Sequence, residues 1–365
     1  MLPETESFDD SLLPPLLEVR DLHVRFSSLA GRVQAVRGVS LRVEKGETLG
    51  LVGETGCGKS VTASALMGLI ASPPGRVAAH AMRFRGRNLL GPVDRGLISG
   101  HSLAHRPLYL EALESVRGGG MSMIFQDPSA ALNPTFPVGD MLLAVLRRHH
   151  PDLDEGEREE RAIEWLELVG LPRPSELLRC FPHQLSGGMK QRIAIALALA
   201  PHPSLVLADE PTTALDVTVQ AQVLALLRSM QDATGFGLIM ITHDLGVVAE
   251  TCHRVAIMYA GRIVEEASVT TLFDEPAHPY TQGLFRARPA LGVSKHQRLQ
   301  AIPGAVPPPT RFPPGCAFHP RCPRAGERCK TQTPVLSAVR VEDPRHQVAC
   351  FYPLVGEPPT PEDQP

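Results

Sequence analysis

The chain has 365 residues, of which 43 % are hydrophobic and 21 % charged, and its formal net charge is −3 at pH 7. This is the composition of an ordinary globular protein, long enough for about two or three domains with a sizeable core. The near-neutral charge gives no indication of nucleic-acid binding. No apolar run reaches the roughly 18 residues of a membrane span. The acidic N-terminus is unlike a secretory signal, so we expect a cytoplasmic protein.

The first predicted elements are strands. Residues 1–16 are acidic and contain Pro, which predicts a flexible N-terminus. Apolar residues alternate with polar ones over residues 17–26 and recur over residues 33–43, a pattern typical of half-buried strands. Phe26 has two interpretations, either a core side chain or an aromatic ring that stacks on an adenine base.

A glycine-rich stretch at residues 53–60 follows these strands. Its members are Gly53, Glu54, Thr55, Gly56, Cys57, Gly58, Lys59 and Ser60, with Val61 directly after them. An apolar run precedes the stretch and an apolar, Pro-free run follows it, which is the strand–loop–helix context of a phosphate-binding loop. Glycines let backbone N–H groups converge on a phosphate, while Lys59 reaches the β- and γ-phosphates and Ser60 is a ligand for Mg²⁺. We therefore predict a nucleotide site here, the alternative being a chance glycine-rich turn.

Residues 71–120 carry few periodic signals. Within them, residues 91–120 are predicted to form an insertion with one helix near residues 108–116. The short apolar run at residues 121–125 predicts a further strand, and Gln126 follows it directly. A neutral hydrogen-bonding side chain at a strand end is suited to contact a metal or a water molecule, although such residues are more often ordinary polar groups.

The segment at residues 138–200 has the apolar spacing of helices. Ser186, Gly187 and Gly188 open the last of these helices, in a Leu-Ser-Gly-Gly-x-x-Gln sequence that ends at Gln191. Ser186 stands where an N-cap residue is expected. Because the first N–H groups of a helix lack partners within it, this helix start predicts a second anion site.

Two further strands end in chemically active side chains. The apolar run at residues 205–208 leads into Asp209 and Glu210, and a later apolar run leads into His243. Strands that alternate with helices over residues 40–260 predict a mainly parallel α/β sheet, which binds ligands at the carboxyl ends of its strands. We expect Asp209 to support Mg²⁺, Glu210 to polarise the attacking water and His243 to sense the γ-phosphate.

The C-terminal region differs in composition from the rest. Pro is frequent over residues 303–314, which predicts a stiff linker. Four of the seven cysteines follow this linker: Cys316, Cys322, Cys329 and Cys350. In a cytosolic chain such a cluster favours a metal over disulfides. Zinc and an iron–sulfur cluster both accept four thiolates, and unliganded thiols are the third alternative.

Taken together, these motifs resemble the ATP-binding-cassette (ABC) ATPases. The likeness rests on the phosphate loop, Gln126, Leu-Ser-Gly-Gly-x-x-Gln at residues 185–191, the strand and carboxylates at residues 205–210, Ala-Leu-Asp at residues 214–216 and His243. Over residues 17–265 it implies an α/β fold of the phosphate-loop NTPases with a RecA-like core, an antiparallel β subdomain and a helical subdomain at residues 130–200. Residues 266–365 would then form a small Cys-rich extension with a four-Cys metal-binding region at residues 315–352.

The resemblance also implies how the site works. Cassettes of this family pair head to tail, so that each ATP lies between the phosphate loop of one subunit and the Leu-Ser-Gly-Gly segment of the other. The residues implied to contact ATP in trans are Ser186, Gly187, Gly188, Gln191 and Asp216. Those implied in catalysis are Glu210, His243 and Gln126, and those implied to hold Mg²⁺ are Ser60, Gln126 and Asp209. A lone chain should therefore hydrolyse ATP poorly.

Further motifs resemble the ATPases of oligopeptide/dipeptide (peptide/nickel) importers. They are Phe125-Gln126-Asp127-Pro128, His278-Pro279-Tyr280-Thr281 and the segment at residues 315–323. This resemblance implies a second ABC subunit, identical or different, two transmembrane permease subunits and an extracytoplasmic peptide-binding protein, with this chain peripheral on the cytoplasmic face of the membrane. It also implies a [4Fe–4S] cluster in some members, with zinc as the alternative. Other interpretations are an importer of nickel or another small solute, an exporter ATPase, and a soluble ABC ATPase acting on ribosomes or nucleic acid.

Overall fold

The computed structural model describes residues 14–28, 31–90, 107–213, 216–287 and 302–354. Most of the predicted flexible N-terminus, much of the predicted insertion, and Ala214 and Leu215 of the Ala-Leu-Asp motif lie outside these ranges. None of the helices in the described ranges is both long and apolar enough to span a bilayer.

The described residues form strands and helices that alternate along much of the chain. The strands are β1 (Leu17–Ser28), β2 (Gly31–Val43), β3 (Thr48–Val52), β4 (Gly75–Ala78), β5 (Ala81–Phe84), β6 (Arg87–Asn88), β7 (Met121–Ile124), β8 (Leu205–Asp209), β9 (Gly237–Thr242), β10 (Arg254–Tyr259), β11 (Arg262–Ser268), β12 (Ser337–Ala338) and β13 (Gln347–Val348). The helices are α1 (Lys59–Leu66), α2 (Pro107–Glu114), α3 (Pro128–Ala131), α4 (Val138–His149), α5 (Glu155–Leu168), α6 (Pro174–Leu177), α7 (Gly187–Leu199), α8 (Val217–Thr234), α9 (Leu245–Thr251), α10 (Val269–Asp274), α11 (Pro279–Arg286) and α12 (Glu327–Thr331).

The central sheet has the strand order β12-β13-β11-β10-β3-β9-β8-β7. The five strands from β10 to β7 run parallel. Every residue of β3, β7, β8 and β9 is buried, since parallel strands are covered on both faces and need continuous apolar sequence. The predicted α/β class is confirmed, and the carboxyl ends of β3, β7, β8 and β9 meet at one edge.

An antiparallel sheet packs beside the central one. Its order is β2-β1-β5-β6, and β4 pairs with β1. Inward side chains such as Leu22, Val24 and Val36 are fully buried and share one core cluster with Leu49 and Leu51 of β3. The alternation of apolar residues along β1 and β2 is thus explained by one buried face.

Helices α3–α7 lie between β7 and β8 in the chain and have their own core. Trp165, Leu142 and Leu146 are buried there together with Ile195 of α7. The charged residues at 154–161 form the start of α5, where the Asp154 side chain accepts from the Glu157 N–H while the Glu157 side chain accepts from the Asp154 N–H.

The C-terminal segment 302–354 packs against the central sheet. Strand β13 pairs with β11, and Phe318 joins the core cluster that contains Tyr259 and Tyr280. The predicted stiff linker also contacts the N-terminal sheet, because the Gln34 N–H donates to the Pro309 carbonyl at 2.9 Å and the Arg37 guanidinium lies 4.2 Å from the centre of the Phe312 ring.

Candidate nucleotide site

The phosphate loop connects β3 to α1, as the sequence predicts. Two of its glycines are required by close packing. A Cβ at Gly53 would lie 2.1 Å from the Met258 carbonyl oxygen, and one at Gly58 would lie 2.3 Å from the Ala35 carbonyl oxygen. Gly58 also has φ +107, the left-handed region that glycine favours. The loop is therefore pressed against β10 and β2, and it turns into the N-terminus of α1.

Lys59 and Ser60 lie at the start of α1 and face the expected phosphate site. The buried Lys59 ammonium donates to the carbonyl oxygens of Gly53 at 2.7 Å and Glu54 at 3.2 Å. The Ser60 hydroxyl donates to Asp209 Oδ1 at 2.9 Å. Burial raises the pKa of Asp209, and the Ser60 hydrogen bond partly opposes this rise. A hydroxyl and a carboxylate held together beside a lysine fit the oxygen ligands that Mg²⁺ prefers.

Glu210 lies at the carboxyl end of β8 and collects three side-chain contacts. Its Oε2 accepts from Gln126 Nε2 at 2.9 Å and from the Thr213 hydroxyl at 2.8 Å, and its Oε1 lies 3.2 Å from His243 Nδ1. Burial by itself would raise the pKa of Glu210, but the hydrogen bonds from Thr213 and His243 outweigh burial and leave the pKa lowered. The carboxylate is therefore ionised and able to accept a proton at neutral pH.

The structure thus brings together Gln126, Asp209, Glu210 and His243 from the ends of three parallel strands. Thr213 also contacts Glu210, and the sequence analysis missed it. Its position three residues after Glu210, in a turn, is the signal that could have indicated it. Glu210 has φ 46, a left-handed backbone that is strained for a residue with a Cβ and is common at functional sites.

The residues predicted to act in trans lie at the starts of two neighbouring helices. Ser186 is the N-cap of α7 and accepts from the Met189 N–H at 3.3 Å, and Asp216 is the N-cap of α8 and accepts from the Val219 N–H at 3.0 Å. A Cβ at Gly188 would lie 3.2 Å from Val219 Cγ1, whereas a Cβ at Gly187 would meet nothing within 4 Å. The start of α7 is therefore open on the Gly187 side.

Gln191, one turn further along α7, is in a different environment. Its side chain is 2 % exposed. Its Nε2 is a buried donor that has no hydrogen-bond partner in the part of the chain that the structure describes. The role of Gln191 in trans stays a prediction.

Phe26 and Cys57 are two further residues of the predicted nucleotide site, and the sequence left two interpretations for Phe26. Phe26 lies on β1, half-buried and packed against the core of the antiparallel sheet, and adenine stacking by its ring stays a prediction. Cys57 is buried, and burial raises the pKa of its thiol although the Lys59 ammonium lies near it and lowers it. Cys57 is therefore a small packed residue and not a reactive thiolate, despite its place near a helix start.

The four C-terminal cysteines line one small cavity together with His278 and His319. Burial, with smaller contributions from the neighbouring Cys322, Cys316 and Cys329, raises the thiol pKa of Cys350 to about 11. As they are placed, however, no group of three or more His, Cys, Asp or Glu side chains in the described residues could hold a metal ion. The fold thus gathers the predicted ligands without arranging them around a metal.

A phosphate loop, a strand-end carboxylate pair and an open Ser-Gly-Gly helix start define an ATPase of the ATP-binding-cassette class. The family model described as "ABC transporter" matches residues 36–213, and the one described as "Oligopeptide/dipeptide transporter, C-terminal region" matches residues 264–329. Relatives that are 42–48 % identical over most of their own length are named for oligopeptide or dipeptide transport, and the chain belongs to this family of transport ATP-binding proteins.

The similarity to members of this family extends over most of the chain. It is 48 % identical over 303 residues to the oligopeptide transport ATP-binding protein OppD of Bacillus subtilis, covering 83 % of this chain and 80 % of that protein. It is 42 % identical over 339 residues to the dipeptide transport ATP-binding protein DppD of Escherichia coli, covering 93 % and 97 %.

Solved structures support the fold. The chain is similar to an ATP-binding cassette solved as a dimer in a post-hydrolysis state with ADP and Pi, with a TM-score of 0.58 at 23 % identity. The match covers 69 % of this chain and 98 % of that one. The predicted cassette fold is therefore confirmed, while the predicted metal-binding nature of the Cys-rich extension gains no support from these comparisons.

Proposed function

We propose that the chain is the ATP-hydrolysing subunit of an importer that moves di- or oligopeptides across the cytoplasmic membrane. It would lie on the cytoplasmic face and work with a second ABC subunit, identical or different, two permease subunits and an extracytoplasmic peptide-binding protein. The relatives that support the peptide substrate are named for oligopeptide or dipeptide transport. The observation that carries the ATPase role is the Glu210 carboxylate, held by Gln126, Thr213 and His243 at the sheet edge that bears the phosphate loop.

The proposed mechanism assigns separate tasks to these side chains. Lys59 would leave its two loop carbonyls to neutralise phosphate oxygens, and the N–H groups at the start of α1 would hold the same phosphates. Ser60, Asp209 and Gln126 would together hold Mg²⁺, which would neutralise charge on the phosphate oxygens. Glu210 would take the proton of the attacking water, and His243 would orient that water and the γ-phosphate.

The transport substrate is tested by uptake in cells that lack the chain. We expect uptake of a labelled di- or oligopeptide to be lost and to return with the wild-type chain but not with Glu210→Gln. Loss of nickel uptake with normal peptide uptake would favour the small-solute importer. Recovery of ribosomes, and not of membrane proteins, with the tagged chain would favour the soluble ATPase.

Gly187 offers a test of the proposed contact in trans. Because a Cβ there meets nothing within 4 Å in the single chain, Gly187→Ala should leave the isolated fold and its affinity for ATP unchanged. In the assembled transporter the added methyl group would crowd and displace the partner's ATP, and we expect ATPase turnover to fall by about a hundredfold, the cost of misplacing reacting groups by about 1 Å.

Gly156→Ala is the matched control, since Gly156 is exposed near the start of α5 and its Cβ would meet only Asp154 Oδ1 at 3.3 Å. Its turnover should stay within about twofold of wild type. Wild-type turnover of Gly187→Ala in the assembled transporter would contradict the contact in trans.

We also propose that Cys316, Cys322, Cys329 and Cys350, once their side chains turn further toward the cavity they share, hold a [4Fe–4S] cluster, with zinc as the alternative. Support comes from the donor set, because the four thiols border one cavity and the other three contribute to the raised pKa of Cys350. The cysteines come from the segment after the linker, from α12 and from the residues just after β13. A bound metal group would therefore cross-link three parts of a small region that contains little regular structure.

The metal proposal predicts a coloured protein. Chain purified without oxygen should contain iron and absorb visible light, and Cys329→Ser should lose most of both because Cys329 is the most buried of the four thiols. Cys180→Ser, which changes a cysteine between α6 and α7, should keep both the iron and the absorbance. Zinc in place of iron would select the alternative, and the absence of both metals from the wild-type chain would contradict the proposal.

A further inference from the structure

Glu54, the second residue of the phosphate loop, is paired with an arginine from the C-terminal extension. Arg321 Nη1 donates to Glu54 Oε2 at 2.7 Å, and Arg321 Nη2 donates to Glu54 Oε1 at 3.0 Å. Two parallel bonds between a guanidinium and a carboxylate fix both distance and orientation. The Arg321 side chain is 5 % exposed, so the pair is shielded from solvent on the arginine side.

Arg321 is itself fixed by the extension. Its Nε donates to the Pro303 carbonyl at 2.9 Å and its Nη2 to the Ile302 carbonyl at 3.4 Å. Its Nη1 also lies 3.4 Å from the Tyr259 hydroxyl at the end of β10. An arginine whose donors are used on several sides has little freedom to follow a moving carboxylate. The position of Glu54 is therefore set by the extension and not the reverse.

A second contact holds the backbone of the same loop residue. The Glu54 N–H donates to the Tyr280 hydroxyl at 3.0 Å. The Tyr280 ring is fully buried and packs against Tyr259 and Phe318, with ring centres 4.6 and 5.3 Å away. Tyr280 lies on α11 and Phe318 lies three residues before Arg321, so both belong to the C-terminal extension. Side chain and backbone of Glu54 are thus held by two separate anchors.

Glu54 in turn contacts the lysine of the loop. Its carbonyl oxygen accepts from Lys59 Nζ at 3.2 Å, beside the Gly53 carbonyl at 2.7 Å. A chain of contacts therefore runs from Arg321 through Glu54 to Lys59, the cation expected to bind phosphate. A loop held in one conformation before ATP arrives loses less conformational freedom on binding, which strengthens binding.

We propose that Arg321 is a positioning residue of the nucleotide site, by which the C-terminal extension fixes the phosphate loop through Glu54. The extension would then contribute directly to ATP affinity. This inference rests on the nucleotide site and is independent of what the transporter carries. Because Arg321 lies directly before Cys322 and shortly after Cys316, changes at the Cys-lined cavity would reach the loop by the same route.

The test measures binding of Mg–ATP by the purified full-length chain in four forms: wild type, Arg321→Ala, Glu54→Ala and the double variant. We expect each single variant to raise the dissociation constant about tenfold, within the range of coupled neighbouring residues. Because Arg321 acts through Glu54, the double variant should bind no more weakly than either single one. In the assembled transporter, Arg321→Ala should raise the KM for ATP and leave kcat near wild type.

Arg340→Ala is the matched control. Arg340 is another arginine of the extension, paired with Glu275 at 2.7 Å, but both side chains are about half exposed and neither contacts the phosphate loop. Its ATP affinity should stay within about twofold of wild type. If neither the wild type nor this control binds Mg–ATP, the nucleotide site is wrongly assigned, which is a different failure from that of the Arg321 inference.

Two results would overturn the inference. One is unchanged ATP affinity in Arg321→Ala, and the other is a double variant whose loss equals the product of the two single losses. If Arg321→Ala does not fold, Arg321→Lys replaces it, because lysine keeps the charge but cannot make the paired bonds. That variant should melt like wild type and bind ATP about threefold more weakly. Wild-type affinity in a stable Arg321→Lys chain would likewise overturn the inference.

Discussion

Glu210→Gln is expected to bind Mg–ATP with near-wild-type affinity and to lose at least about a hundredfold in turnover, the lower range for loss of a general base. Glutamine keeps the size of the side chain and an oxygen that can still accept from Thr213. It cannot take a proton from water, however, whereas the Glu210 carboxylate, whose pKa despite burial is lowered by Thr213 and His243, is ionised at neutral pH and can accept one. The measurement is ATPase activity of the assembled transporter, with binding followed separately on the same preparation.

Glu250→Gln is the matched control for this prediction. Glu250 is an exposed glutamate near the end of α9, and its change to glutamine should leave turnover within about twofold of wild type. The assignment of Glu210 as the base fails if Glu210→Gln turns over at the wild-type rate. In that case Gln126 and His243, the two other predicted catalytic side chains, should be substituted and their turnover measured in the same way.

Glu265→Ala is expected to cost about 3–5 kcal/mol of unfolding free energy, the range for breaking a buried charged network. The Glu265 side chain is completely buried on β11 and accepts from the Ala277 N–H at 2.6 Å, the His278 N–H at 2.9 Å and His346 Nε2 at 2.9 Å. Alanine would leave three buried donors without an acceptor. The loss should appear in denaturant unfolding of the full-length chain and as earlier proteolysis of the C-terminal segment.

The control here is Glu275→Ala, which removes an exposed carboxylate paired with Arg340. Exposed ion pairs contribute little, so we expect a change below about 1 kcal/mol. Equal stability of Glu265→Ala and the wild type would show that the extension is not anchored through this carboxylate. Both variants remove one acidic residue from the same region. Their unfolding free energies should therefore differ only because Glu265 is buried and accepts hydrogen bonds, whereas Glu275 is exposed.

The sequence predicted the long buried strands and most helices of the cassette with good boundaries. The apolar run at residues 205–208 became β8, and the helix start at Ser186 became α7, because apolar spacing and capping residues are local signals. The sequence did not predict β4, β11, β12, β13 and helices α10–α12. The two-residue strands β12 and β13 carry no periodicity, and they exist only because β11 offers a free edge.

The sequence by itself determined the chemistry of the nucleotide site. The phosphate loop, the Asp209–Glu210 pair and the strand-end positions of Gln126 and His243 all follow from local patterns, since parallel strands bring their carboxyl ends to one edge. Only the tertiary structure decided which of these side chains contact one another. Gln126 meets Glu210 across 84 residues of chain and Arg321 meets Glu54 across 267, and no local pattern encodes contacts at such separations. The physical reason is that packing of the sheet and the extension, and not the spacing of motifs, sets these distances.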